Sequence, residues 1–212
     1  MSIARGALIV FEGCDRAGKS TQVKMLIEAL NKQNIPAEAR AFPERKTPIG
    51  SIINDFLAKK KDLSLEAMHL LFCANRWECK EDILKTLHSG TTLIVDRYAG
   101  SGAAYTAATT GKNLAWCKEP DKGLPCPDMV ILLKISETSQ RLRSNWGEER
   151  FETSKLQRLV ASNYEKLQEK TWSIIDADQE QSVIHSQILE KVLVTVQTVQ
   201  NSTIGCLYDT NT

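Results

Sequence analysis

Short apolar runs alternate with stretches of helical periodicity along the 212-residue chain, the pattern of a parallel sheet covered by helices. Ala7–Phe11 reads as a first strand. Val23, Leu26, Ile27 and Leu30 then share one side of a helix running from about Lys19 to Gln33. Asn34, Ile35 and Pro36 break that helix, and a second strand is predicted near Ala37–Phe42. Proline suits a first helical turn, so a helix is expected to start after Thr47–Pro48 and to reach about Lys60. One long helix is predicted from Ser64, its N-cap, to Ser89, with Gly90 just beyond. Thr91–Val95 is the third strand, and a helix from Tyr98 to Thr109 follows. Residues 123–127 form a turn-rich connector before a fourth strand, Met129–Leu133. A short helix over 136–145 and a polar loop over 146–150 come next. The pattern closes with a helix over 154–170, a fifth strand at Trp172–Ile175 and a helix over 182–199. The tail from Asn201 is polar and is expected to fray. No repeat or interdomain linker is visible, which predicts one α/β domain over 1–212 with insertions between strands.

Between the first strand and the first helix stands Gly13-Cys14-Asp15-Arg16-Ala17-Gly18-Lys19-Ser20. Glycine, four residues, then Gly-Lys-Ser is the spacing of a phosphate-binding loop, and strand–loop–helix is the context it requires. The glycines let the backbone turn its N–H groups towards one centre, and the helix adds the positive end of its dipole. Lys19 would reach the outer phosphates of a nucleotide, and the Ser20 hydroxyl would sit on Mg²⁺. The loop implies bound phosphate without saying what is done with it.

Other strand ends carry matching chemistry. Asp96 closes the third strand, where an aspartate can hold Mg²⁺ or merely cap the next helix. Arg97 follows it, and Arg45 follows the second strand. Ligands of parallel sheets bind outside the carboxyl ends of the strands, so Lys19, Arg45 and Arg97 are expected to face one crevice. A guanidinium there matches a phosphate through paired hydrogen bonds. Phe72 and Arg76 lie four apart, on one helix face, as a ring and a cation suited to a nucleobase; alone, a helical phenylalanine is more often core. Arg16 lies within the phosphate loop, where it could brace a transferring phosphoryl group from the same chain. Asp15 could brace the loop, touch an acceptor or meet Arg97.

Composition narrows the partners. Lys and Arg total 27 against 26 Asp and Glu, a net charge of +1, which argues against a general nucleic-acid or polybasic membrane binder. None of the six cysteines forms a C-x-x-C pair, so reduced thiols of a cytosolic protein are expected. His69, His88 and His185 lack ligand spacing and read as surface or satisfied structural residues. No apolar stretch approaches the roughly 20 residues of a membrane span, and a signal or transit peptide is not expected.

Taken together, Gly13-x-Asp15-Arg16-Ala17-Gly18-Lys19-Ser20-Thr21-Gln22, Phe42-Pro43-Glu44-Arg45, Leu71-Phe72-x-Ala74-Asn75-Arg76-Trp77-Glu78, Asp96-Arg97-Tyr98-x-x-Ser101-Gly102 and Gly123-Leu124-Pro125-x-Pro127-Asp128 resemble the thymidylate kinase family, closest in its eukaryotic cytosolic form. The motifs fall in the family's order and span about Arg5 to Glu152. The resemblance implies a P-loop NTPase three-layer fold: a five-stranded parallel sheet, helices on both faces and a lid over about 136–152. It implies transfer of the γ-phosphoryl group of ATP to dTMP, giving dTDP and ADP, with Mg²⁺.

By the same resemblance, Gly13, Ala17, Gly18, Lys19, Ser20 and Thr21 would hold ATP, with Arg16 and Lys19 catalytic and Ser20 and Asp96 on the metal. Asp15 would meet the deoxyribose 3′-hydroxyl region and Arg97, and both count as catalytic. Arg45 and Arg97 would bind the dTMP phosphate, Phe72 would stack on thymine and Arg76 would hydrogen-bond its carbonyl. Phe42, Ser101 and Gly102 would line the acceptor site. Tyr105 would crowd the sugar 2′ position, Phe151 would close on the base, and Arg143 of the lid would contact ATP. A cytoplasmic homodimer, with room for a nuclear pool, is also implied.

Three positions depart from the family pattern: Gly100 replaces a bulky phenylalanine, Phe151 a tyrosine and Cys126 a lysine. Gly100 is expected to loosen the helix start and alter the substrate pocket. Alternatives from other classes are a nucleotide-dependent switch, an inactive scaffold, or a kinase for another pyrimidine monophosphate. No Asn-Lys-x-Asp guanine-reading string is present, which weighs against the switch.

Overall fold

The computed structural model describes residues 4–142 and 150–209. Five parallel strands, β1 (Leu8–Gly13), β2 (Ala37–Ala41), β3 (Thr92–Asp96), β4 (Met129–Lys134) and β5 (Trp172–Asp176), form one sheet in the order β2-β3-β1-β4-β5. The helices are α1 (Lys19–Lys32), α2 (Pro48–Leu57), α3 (Leu65–Glu78), α4 (Lys80–His88), α5 (Ala99–Thr110), α6 (Leu114–Lys118), α7 (Glu137–Leu142), α8 (Ser154–Leu167) and α9 (Gln181–Val199). This is the P-loop NTPase architecture, and strand β1, fully buried, runs through its centre.

Alternation along β1 assigns its side chains to two cores. Ala7, Ile9 and Phe11 face Leu26 and Leu30 of α1 and Ile188 and Val192 of α9. Leu8 and Val10 face the opposite layer, with Ile83 and Leu87 of α4 and Ala99 of α5. The central strand is therefore apolar on both sides, as a doubly covered parallel strand must be. The chain leaves β1 towards α1 while its neighbours β3 and β4 belong to opposite halves of the sheet, which opens a crevice at the carboxyl ends.

Two expectations change, and one unassigned stretch gains a helix. The long helix predicted over 64–89 is two helices, parted at Cys79, whose N–H bonds back to the Arg76 carbonyl at 3.2 Å in a tight turn. Neither glycine nor proline marks that break. A short helix, α6, occupies a stretch to which no element was assigned, with Asn113 as its side-chain cap. The tail is tied down: Gly123 N–H donates to the Leu207 carbonyl, Leu207 N–H to that of Leu124, and Cys126 N–H to that of Gly205. Leu207 fills the core under the connector, which polar composition alone could not show.

The opposite end of the sheet is fastened by one ion pair. Asp128, just before β4, accepts from both Nη atoms of Arg5, at 2.8 and 2.7 Å, and from Leu8 N–H at 2.8 Å. Arg5 Nε also donates to the Ser202 carbonyl at 2.7 Å, so the pair joins β1, β4 and the tail. Removing one partner leaves the other charged and desolvated. Asp128→Ala is expected to cost roughly 3–5 kcal/mol in urea-unfolding free energy. A loss below about 1 kcal/mol, the range of a surface pair, would contradict this role.

Candidate active site

The loop after β1 closes over its own lysine. Buried Lys19 donates from Nζ to the carbonyls of Gly13 at 3.2 Å and Cys14 at 2.7 Å. Burial, reinforced by Arg97, lowers its pKa to about 8. Gly13 has φ +142° and comes so close to β4 that a β-carbon would lie 2.6 Å from the Leu133 carbonyl oxygen. Gly18, with φ +95°, turns the chain into α1. Ser20 follows, and its hydroxyl donates to Asp96 Oδ2 at 2.5 Å.

Arg97 is where the strand ends converge. It holds φ +68°, a left-handed conformation that costs of order 1–3 kcal/mol for a residue with a side chain. Its N–H donates to the Phe11 carbonyl at 2.9 Å. The guanidinium donates to the Gly13 carbonyl at 3.1 Å, to Ser101 Oγ at 3.3 Å and to Asp15 Oδ1, and lies 5.4 Å from the centre of the Tyr105 ring. Of the options open to Asp15, the pairing with Arg97 is present here.

Glu12 explains how the turn is held. Its buried carboxylate accepts from the N–H groups of Tyr98 and Ser101, both at 3.0 Å, from Ser101 Oγ at 2.5 Å and from Tyr164 Oη at 3.1 Å. It thereby caps α5 and fixes the hydroxyl that Arg97 uses. Gly100 belongs to this packing: a β-carbon there would stand 2.8 Å from Glu12 Oε1 and 3.2 Å from the Trp172 ring. Gly100 does not itself line the main cavity; its neighbours Glu12 and Trp172 place it at the contact between α5 and the sheet.

That cavity, about 630 Å³, has Asp15, Arg16, Lys19, Ser20 and Asp96 at one end and Phe72, Arg76 and Phe151 among its other walls. Phe42, Arg45, Arg97, Ser101, Gly102 and Tyr105 also line it, with Gly18 and Thr21 at the loop. Asn75 positions the Arg45 segment. Fully buried, it accepts from Glu44 N–H at 2.7 Å and donates to the Glu44 carbonyl at 3.1 Å and to Thr47 Oγ at 3.0 Å. Arg45 Nη1 donates to Asn54 Oδ1 at 2.7 Å. Arg76 is buried and forms a two-pronged pair with Asp121, Nε–Oδ1 2.9 Å and Nη2–Oδ2 2.7 Å. Gly102 lets α5 pass close to it, since a β-carbon would lie 2.6 Å from Nη2.

The segments flanking the predicted lid reach the loop as well. Gln157 of α8 donates to Asp15 Oδ2 at 2.6 Å and to the Phe151 carbonyl at 3.0 Å, and accepts from Asp15 N–H at 2.9 Å. Gln140 of α7 donates to the Asp15 carbonyl at 2.7 Å. Arg16, with φ +62°, pairs with Glu152 at 2.9 Å. Arg143 lies outside the described residues. Sequence reading passed over Glu12, Asp121, Gln140, Glu152 and Gln157, whose polar side chains carry no spacing signal. His69, read as a surface or satisfied structural histidine, is buried and hydrogen-bonded to Thr106, and it lines the cavity.

Ser20 and Asp96 supply adjacent hard oxygen ligands of the kind Mg²⁺ prefers alongside phosphates and water. Among the described residues there is no cluster of three His, Cys, Asp or Glu side chains for a metal held by protein alone.

A phosphate loop facing a second, arginine-lined and aromatic pocket across a parallel-sheet crevice defines a P-loop nucleoside monophosphate kinase. The thymidylate kinase family profile matches residues 11–188, and the chain belongs to that family. It is 42% identical to thymidylate kinase of Danio rerio over 98% of this chain and all of that one. It is 41% identical to the Homo sapiens thymidylate kinase over the same shares. The solved structure of thymidylate kinase from Candida albicans superposes with a TM-score of 0.87 at 35% identity, covering 96% of this chain and 99% of that one.

The depressed Lys19 pKa has a measurable consequence. Polyphosphate restores the charge that burial disfavours, so ATP binding above about pH 8 must draw a proton onto Lys19. Titration calorimetry at pH about 8.5 in buffers of different ionisation enthalpy should reveal proton uptake that vanishes near pH 7. Equal apparent enthalpies in all buffers at both pH values would contradict this.

Proposed function

We propose that this protein transfers the γ-phosphoryl group of ATP to dTMP, giving dTDP and ADP. The observation that carries the reading is the Arg97 junction: one side chain touches the phosphate loop at Gly13 and Asp15 and faces the cavity shared with Phe72 and Arg76. Family membership supports dTMP as the acceptor.

Lys19 and the loop amides hold the ATP phosphates, and Arg45 and Arg97 hold the acceptor phosphate. Phe72 stacks on the base and Arg76 reads its carbonyl. Asp15 orients the sugar, and Tyr105 excludes a 2′-hydroxyl. Ser20 and Asp96 would hold Mg²⁺, which when bound neutralises charge on the phosphates. Phosphoryl transfer passes through a loose transition state, so the chain's task is in-line positioning and charge stabilisation, without a nucleophilic side chain. Arg16 supplies that charge from within the loop, leaving its Glu152 pairing as the donor arrives. The segments around Phe151 and Gln157 close the site against water. We extend the reading to a cytoplasmic homodimer of single-domain protomers; no described helix is long and apolar enough to cross a membrane.

A coupled ADP-release assay over several monophosphates tests the assignment. An apolar wall distinguishes one methyl group by about 1–3 kcal/mol, so dTMP should lead with measurable dUMP turnover. Equal rates for dTMP and AMP would overturn it. Arg16→Ala should lower kcat by roughly 10³-fold or more, with nucleotide affinity little changed. Weakened ATP binding at unchanged kcat would make Arg16 a ground-state ligand.

A further inference from the structure

Arg76 is held from behind the cavity. It commits Nε and Nη2 to Asp121, and Nη2 also meets the Cys73 sulfur at 3.2 Å. Nη1 is left for the cavity that Arg76 lines. On its other flank α5 passes close at Gly102, so the guanidinium has little room of its own. A two-pronged pair passes any shift of the carboxylate to the whole planar group. The depth of Arg76 in the cavity therefore follows from where Asp121 is fixed.

Asp121 is fully buried and ends a 3₁₀ turn, Glu119–Asp121, that leads into the connector. The backbone N–H groups from Lys122 to Cys126 show how that stretch is held. Those of Lys122 and Leu124 bond within the turn, to the Glu119 carbonyl at 3.1 Å and the Asp121 carbonyl at 3.2 Å. Those of Gly123 and Cys126 go to the tail, to the Leu207 carbonyl at 3.0 Å and the Gly205 carbonyl at 2.8 Å; Pro125 has none. Leu207 N–H donates back to the Leu124 carbonyl at 2.7 Å, and Pro125 faces Cys206 in an antiparallel bridge. The Leu207 side chain is buried in one cluster with Leu124 and Tyr98. On the other side of the turn, Lys118 Nζ lies 4.1 Å from the centre of the Tyr208 ring. Tail contacts thus bracket Asp121 before and after it in sequence. From α3, the partly exposed Trp77 adds one bond, Nε1 to the Pro120 carbonyl at 2.7 Å.

We propose that the tail over 204–208 is a positioning element of the acceptor site: its ladder on the connector fixes Asp121, and through Asp121 the depth at which Arg76 meets the acceptor base. No residue of 204–208 lines the cavity, so the tail acts only through the connector. The inference rests on the dTMP reading and adds a remote segment to the residues that set affinity for the base.

Kinetics of the whole chain carrying Leu207→Ala test it, since the substitution leaves every cavity wall in place. KM for dTMP should rise roughly tenfold, with KM for ATP and kcat little changed, because only the hold on the acceptor base is lost. 2-Deoxyribose 5-phosphate, which has the sugar and phosphate without the base, should inhibit variant and wild type equally. Equal weakening of both acceptor ligands, a matching loss for ATP, or an unchanged KM for dTMP would overturn the proposal. A second readout needs no substrate: in ¹⁵N-labelled protein the Arg76 Nε–H resonance should shift in Leu207→Ala. A resonance that stays in place overturns the proposal. If Leu207→Ala does not fold, Leu207→Val decides on the same readouts. Absence of dTMP turnover in the wild type would instead defeat the dTMP assignment, and the resonance alone would then decide the role of the tail.

Discussion

The left-handed turn at Arg97 is the constraint around which the site is built. An ordinary strand end would aim this side chain along the sheet edge. Here the backbone turns at once, because Arg97 N–H is taken by the Phe11 carbonyl and the next N–H by Glu12. Glu12 belongs to β1, the strand that also launches the phosphate loop. The phosphate loop and Arg97 are therefore fixed by one strand, with Asp15 and Gly13 as the points of contact. The strain is sustained by four hydrogen bonds onto one buried carboxylate. Gly100 packs beside the same carboxylate, and a β-carbon there would require Glu12 to shift.

A second consequence is that the loop can register the segments opposite it. Gln140 and Gln157 approach Asp15 from helices on either side of residues 143–149, and Glu152 meets Arg16. Asp15 and Arg16 occupy the variable positions of the phosphate loop, so these contacts leave the cradle geometry of Gly13, Gly18 and Lys19 untouched. Each links an element expected to close over the donor with a residue proposed to act on the acceptor or on the phosphoryl group in transfer.

Sequence made some of this legible and hid the rest for physical reasons. The strands announced themselves because a doubly covered parallel strand is apolar throughout, and strand-end reasoning alone placed Lys19, Arg45 and Arg97 at one crevice. The break at Cys79 was invisible because tertiary contacts set it: Asn75 binds α3 to the loop at Glu44 and Thr47, with no helix-breaking residue involved. The anchored tail was hidden because a few apolar residues, Leu207 with Ile204 and Tyr208 beside it, do the packing among polar neighbours without a regular period. Gln157 and Glu12 were overlooked because hydrogen-bond partners more than 80 residues apart leave no local pattern.

The central claim is that one cavity holds an acceptor nucleotide whose phosphate meets Arg97 while the same guanidinium touches the donor loop. A crystal structure with a bisubstrate analogue, adenosine and thymidine joined through a polyphosphate, tests it most directly. The account predicts the thymidine-side phosphate between Arg45 and Arg97, the thymine ring against Phe72 with a carbonyl towards Arg76, and Arg97 still in its left-handed turn. A thymidine moiety bound elsewhere, or an Arg97 that relaxes and leaves Asp15 when the cavity fills, would contradict it.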